Sequence, residues 1–312
     1  MFSPTTMSQP QTSSQTPVAA VDIIMRTKNR MSLLPRAIAS VRAQTFTDWN
    51  LILVDSGDHA ATTDWLAANP GLAGERLLHL PITAGPKMGE LSNIGIRHGS
   101  APLVVLLDDD DTWSPDFLAL TCSVLQSRHG DTSCRGVVTR TTIVYEEWQG
   151  GQWLETRVEE LNPKLTRVTL PLLAAVNRFT TNSFVYERAA WEDLGGYDAV
   201  MPVLDDWDFN LRFLLRWDIA CVPSAHAFWH RRPATGAETD NTDAADHEFE
   251  TAAYINRHIR AGLASPLAAL FHAGELHRLE MERQAQMFAK IRSMSDKVGK
   301  IDSRTRKQSS DK

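Results

Sequence analysis

Two hydrophobic periods interleave along this chain from residue 21 onward. Short, almost unbroken apolar runs at 21–25 ("VDIIM"), in "WNLILVDSGD" and at 103–107 read as strands buried on both faces. Between the first two, Leu33, Leu34, Ile38 and Val41 recur at helical spacing. They predict a helix from about Ser32, with Ser32 as its N-cap. A helix over 62–68, a strand near 77–80 and a helix over 90–98 continue the alternation. Strand, helix, strand implies parallel pairing with right-handed crossovers. The expected architecture is therefore an open, doubly wound α/β sheet, which binds ligands beyond the carboxyl ends of its strands.

From about residue 137 the pattern changes to alternation, "GVVTRTTIVYEEW" then "GGQW", which predicts a hairpin-like insert. Residues 180–186 read as another strand, and "RAAWEDLGGYD" as a short helix closed by Gly195 and Gly196. In "DDWDFNLRFLLRW", Trp207, Leu211, Leu214 and Leu215 share one helical face. Asp205 and Asp206 then fall at a helix N-terminus, where carboxylates also serve simply to offset the macrodipole. Residues 231–250 are acidic and weakly periodic, a long loop by this reading. Over 275–301, Leu276, Leu279, Met287, Ile291, Met294 and Val298 mark a surface or partner-binding helix, too polar for a coiled coil. No internal repeat is visible.

Composition narrows the class. With 312 residues, 43% hydrophobic and 22% charged, the chain suits one large globular domain or two ordinary ones. Its apolar runs fall far short of the roughly 18 residues of a membrane span. The opening "MFSPTTMSQPQTSSQTP" lacks a basic start and an apolar core, so residues 1–17 read as disordered rather than as a secretory signal. Three cysteines without a CxxC pair argue against a disulfide framework and fit a reducing cytoplasm. Net charge is −6, yet residues 290–312 hold eight Lys and Arg against three Asp. An acidic body excludes a general nucleic-acid binder. The basic tail reads either as a solvated end or as a contact for anionic lipid.

"PLVVLLDDDDTW" drives a strand straight into four aspartates, Asp108 to Asp111. Adjacent like charges repel by about 1 kcal/mol per pair even in water. A divalent metal, backbone N–H groups or a basic side chain is expected to meet them. The plainer alternative is an acidic turn capping a helix near Ser114.

"VDIIMRTKNRMSLLPRAIASVRAQTFTDWNLILVDSGD" and "LSNIGIRHGSAPLVVLLDDDDTWSPDFL" together resemble glycosyltransferase family 2, inverting enzymes of GT-A fold. The likeness runs over roughly residues 20–120, with a weaker match over 180–232. It implies a Rossmann-like, mostly parallel sheet with a smaller acceptor-side mixed sheet and a C-terminal helical extension. In that division 18–135 is the nucleotide-sugar half, 136–235 the acceptor half, 236–274 an acidic loop and helix, and 275–312 an amphipathic helix and basic tail. The family's DxD motif falls on Asp108, Asp109 and Asp110, with Asp110 on Mn2+ or Mg2+ and Asp108 toward the donor. Arg26, Thr27, Asn29, Asp55 and Asn93 would line the nucleotide pocket, and Lys87 would reach the diphosphate. Ser56 departs from the second aspartate of uridine-using relatives. Asp206 falls on the family's base, with Asp205 in the place of its glutamate and Asp208 as an alternative. His230 would be a further metal ligand, and Trp113, Trp207 and Trp229 are each either sugar platforms or core.

The activity this implies is metal-dependent transfer of a sugar from a nucleotide diphosphate to an acceptor hydroxyl, sugar or lipid-linked, in bacterial surface polysaccharide or glycoconjugate synthesis. The setting would be cytoplasmic, with peripheral inner-membrane contact through the tail and a dimer surface on the last helix. Two other classes stay open: a non-catalytic nucleotide-sugar-binding module, and a nucleotidyltransferase, whose Gly-rich basic loop "RTKNR" does not supply.

Overall fold

The computed structural model describes residues 20–83, 85–128, 133–232 and 244–310. The expectation for residues 1–17 and most of the expected acidic loop lie outside them. The first half runs β1 (Val21–Thr27), α1 (Leu34–Arg42), β2 (Trp49–Asp55), α2 (His59–Ala68), α3 (Pro70–Ala73), β3 (Leu77–Pro81), α4 (Met88–His98), β4 (Leu103–Asp108), β5 (Thr112–Trp113) and α5 (Phe117–Ser127). Next come β6 (Cys134–Gln149), β7 (Gln152–Glu160), α6 (Leu170–Ala175), β8 (Phe184–Glu187), α7 (Arg188–Leu194), α8 (Asp205–Leu214), β9 (Asp218–Arg231), α9 (Ala244–Ala261) and α10 (Ala268–Ser310).

All these strands join one sheet, ordered β3-β2-β1-β4-β8-β6-β9-β5, with β7 hanging from β6. β1, β2, β3 and β4 pair in parallel. Alternate side chains explain the two layers that cover them. Ile24, Ile52, Val104 and Leu106 face a core shared with Leu91 of α4 and Phe209 of α8. Ile23, Met25, Leu51, Leu53 and Leu107 face the opposite core, with Ile38 of α1 and Phe117 of α5. The antiparallel pair of β4 with β8, Val104 opposite Tyr186, carries the sheet into the second half.

One carboxylate stands inside the apolar run of β1. Asp22 is fully buried, paired with Arg188 at 2.7 Å and accepting from the Ala101 N–H at 2.8 Å. A buried carboxylate is tolerable only with partners of this kind.

Three boundaries differ from expectation. The Ser32 cap is corrected: Leu33 and Leu34 N–H groups both donate to the Arg30 carbonyl, a turn runs through residues 31–33, and α1 begins without a side-chain cap. The expected loop at 231–250 is already helical by Ala244. The aspartate block does not cap the next helix, since α5 begins at Phe117 and no side chain caps it. α10 packs on α6, where Gly274 lies so close that an added Cβ would come within 2.9 Å of the Ala174 carbonyl carbon. Leu276, Leu279, Met287 and Ile291 farther along are exposed.

Candidate active site

Strand register brings the first pair together. Arg26 of β1 lies opposite Asp108 of β4, at the carboxyl ends of both strands. Its Nε and Nη2 donate to Asp108 Oδ1 at 2.9 and 2.6 Å, and its Nη1 donates to Ser92 Oγ of α4 at 3.0 Å. Burial works to lower the Arg26 pKa, but the Asp108 and Asp205 carboxylates outweigh it and hold the group above its usual value.

The remaining aspartates fan out as the chain leaves β4. Thr27 Oγ1 donates to Asp109 at 2.7 Å, and Arg30 Nη1 reaches Asp109 at 3.2 Å and Asp110 at 3.3 Å. Arg232 donates to the same Asp110 oxygen. Asp111 turns inward, accepting from Asn182 Nδ2 at 2.9 Å and from the His230 N–H at 3.0 Å. Burial and the neighbouring Asp110 charge push Asp109 up to about 7 and Asp111 well above the usual carboxylate range. Basic side chains therefore meet the block.

A second layer supports Asp110. Glu146 shares a buried face of β6 with Val144, and Arg36, Arg232 and His230 Nδ1 (2.9 Å) converge on its carboxylate. Arg36 also donates to the Asp110 carbonyl at 3.0 Å. Despite burial, the His230 and Arg36 bonds hold Glu146 down at about 2, while burial lowers the His230 pKa. His230 Nε2 lies 2.9 Å from Thr112 Oγ1, so both ring nitrogens of the expected metal ligand are engaged. Among the described residues no group of three His, Cys, Asp or Glu side chains is arranged to hold a metal.

These residues border a cavity of about 730 Å³. Arg26, Thr27, Ser56 and Lys87 line one side, the four aspartates border it, and Pro202, Trp229, Arg231 and His247 also line it. Three expected pocket residues do not line it. Asp55 is fully buried between the Gly57 N–H (2.9 Å) and His79 (3.1 Å). Asn93 is bonded to both backbone groups of Tyr197 at 2.9 Å, and Asn29, at φ 56°, accepts from the Asp58 N–H. All three fix loops around the cavity.

Asp205 and Asp206 open α8 directly after Leu204, whose φ is 70°. Asp205 lies 3.9 Å from Arg26, and burial, with the Asp206 charge added, pushes it up to about 7 in spite of that cation. Asp206 Oδ2 accepts from Asn177 at 2.9 Å and Thr181 at 3.2 Å, while Oδ1 accepts from the Trp207 N–H. Burial raises its pKa as well, against those bonds. Neither carboxylate lines the cavity; Asp205 stands behind Arg26. Asp208 is occupied by Arg212 and by Tyr254 of α9, at 2.7 and 2.8 Å. Trp113 and Trp207 are buried and donate to backbone carbonyls, whereas Trp229 lines the cavity.

Arg30, Arg36, Glu146, Asn177, Thr181 and His247 were not anticipated. The basic spacing of "RTKNR" was the one available signal for Arg30.

The doubly wound sheet with this cavity at its carboxyl edge has the GT-A fold, and solved structures of that fold superpose on it. PcManGT, a mannosyltransferase from Pyrobaculum calidifontis solved with GDP-Man and Mn2+, matches with a TM-score of 0.57 at 19% identity, over 83% of this chain and 69% of that one. S. aureus TarS in complex with UDP-GlcNAc matches with a TM-score of 0.55 at 15% identity, over 78% and 67%. The family model described as "Glycosyl transferase family 2" matches residues 22–191, more than half the chain. The chain belongs to that family and is a glycosyltransferase. The uncharacterized glycosyltransferase YwdF of Bacillus subtilis is 22% identical over 76% of this chain and 82% of its own. A PGL/p-HBAD biosynthesis glycosyltransferase of Mycobacterium bovis is 26% identical over 61% and 68%.

Proposed function

We propose that this enzyme transfers one sugar from a nucleoside-diphosphate donor to an acceptor hydroxyl with inversion, in bacterial polysaccharide or glycoconjugate synthesis. The observation that carries the reading is the four-aspartate block, opened by the Arg26–Asp108 pair at the β1 and β4 carboxyl ends and bordering a single cavity. Arg26, Thr27 and Asp109 hold the donor side, and Lys87 and Arg30 are the cations placed for its diphosphate. Asp206 accepts the hydroxyl proton as the acceptor oxygen bonds to the anomeric carbon and the diphosphate leaves from the opposite face. Asn177 and Thr181 hold Asp206 Oδ2, which fixes the direction of its other oxygen.

The carboxylates fit a hard cation. Mg2+ or Mn2+ takes one or two aspartates with substrate phosphate oxygens and needs no third protein ligand. Asp110, with Asp108 beside it, is the set we assign; Asp109, raised by burial and by the Asp110 charge, would ionise more readily next to a cation. The ion would neutralise the departing diphosphate. His230 then acts through Glu146 rather than as a ligand.

The test is a thermal-shift screen of wild type and Asp110→Ala against UDP, GDP, dTDP, CDP and their sugars, with and without Mn2+. Binding to the native state raises stability with the logarithm of ligand concentration over Kd. A Mn2+-dependent shift for one nucleotide, lost in Asp110→Ala, is expected. No shift with any nucleotide sugar would leave a non-catalytic fold.

A further inference from the structure

The cavity has a wall that the donor reading leaves unused. Pro202 precedes α8, Trp229 and Arg231 end β9, and His247 sits in the first turns of α9. Two separate elements, β9 and α9, thus put a flat apolar ring, a guanidinium and an imidazole into the lining of one cavity. The Arg231 guanidinium lies 4.9 Å from the Trp229 ring centroid, so one indole face is already occupied by a cation. An aromatic face beside several hydrogen-bonding groups suits a pyranose, which offers C–H groups on one face and hydroxyls around its edge.

His247 and the base Asp206 stand on two helices that pack against each other. α9, which carries His247, is pinned to α8, which carries Asp206, by the buried bond from the Tyr254 hydroxyl to Asp208. Tyr254 also packs on Trp207 with ring centroids 5.8 Å apart. The position of His247 relative to Asp206 is therefore set by packing between two helices.

We propose that Trp229 and His247 form the acceptor subsite for a sugar, with His247 hydrogen-bonding the hydroxyl that attacks. This rests on the glycosyl-transfer reading. The bond formed joins the acceptor oxygen to the anomeric carbon, the bond broken is that carbon's link to the diphosphate, and the proton passes to Asp206. His247 binds and aims the hydroxyl and keeps its own proton count.

Two measurements on the full-length chain separate this inference from the reading beneath it. Donor affinity is read by calorimetry with the nucleotide sugar that gives the thermal shift. Transfer is read against octyl glucoside, galactoside, mannoside and N-acetylglucosaminide. In His247→Ala and Trp229→Ala, donor Kd should stay within about twofold while acceptor KM rises tenfold or more, and His247→Gln should recover part of the loss. Donor affinity falling along with transfer would make the wall a donor contact and overturn the proposal. An unchanged acceptor KM and kcat would do the same, as would a wild type that binds donor yet transfers to no glycoside. A wild type that binds no nucleotide sugar removes the transferase reading itself.

Discussion

At the scale of single residues, Asp205 is a buried carboxyl whose ionisation costs stability. Its pKa is near 7 in the folded protein, far above the ordinary aspartate value, chiefly because it is buried. A folded-state pKa raised above the unfolded one favours folding only while the group stays protonated, so stability falls as pH rises from about 4 to 7. Asp205→Asn should therefore unfold at a higher temperature than wild type at pH 8, by a margin on the order of 1 kcal/mol or more that shrinks toward pH 4.5. A pH series of melting curves checks it; a margin independent of pH would be wrong for this cause. Asp206→Asn belongs to the chemistry instead. It should lower transfer by roughly 10²–10⁴-fold, the range of a lost general base, with donor affinity retained in calorimetry.

At the scale of elements, the contact of α4 with the loop before α8 is tight enough to matter. Gly89, in the first turn of α4, faces the Asp198 carbonyl, and an added Cβ would lie 2.4 Å from that oxygen and 3.3 Å from Asp205 Cβ. Helix propensity alone would favour alanine there by about 1 kcal/mol. Backbone cannot yield as a side chain does, so Gly89→Ala should instead lower stability by about 1–3 kcal/mol and slow transfer by displacing Asp205. Denaturant unfolding and a kinetic assay read both effects. The elements themselves were largely legible. Buried runs revealed β1, β2 and β4, and the spacing of Trp207, Leu211 and Leu214 revealed α8. The partners of the aspartates were much less so: Arg232 and Asp110 are 122 residues apart, and His230 and Glu146 are 84 apart. No local period encodes such meetings. Asp55 and Asn93 were legible as polar positions at a strand end and on a helix, but the backbone and histidine groups they bond were not.

At the scale of the whole molecule, α10 carries exposed Leu276, Leu279, Met287 and Ile291 beyond its contact with α6, followed in sequence by the basic tail. No helix among the described residues is long and apolar enough to cross a membrane. Exposed apolar area together with attraction of the basic residues to anionic headgroups is what a contact with a lipid surface would use. Deleting residues 275–312 should reduce cosedimentation with phosphatidylglycerol vesicles several-fold, and salt should weaken the wild-type association. Equal cosedimentation of the two would count against the tail as an anchor. The single sheet bears on a different matter. Donor-side strands and acceptor-side strands are stitched by the β4–β8 pairing, with Leu103, Val104 and Val105 bonded across the seam to Glu187, Tyr186 and Val185. The two halves are thus not exchangeable cassettes. A chimera that joins the first half of one relative to the second half of another inherits a mismatched join through the middle of its core and should melt below either parent.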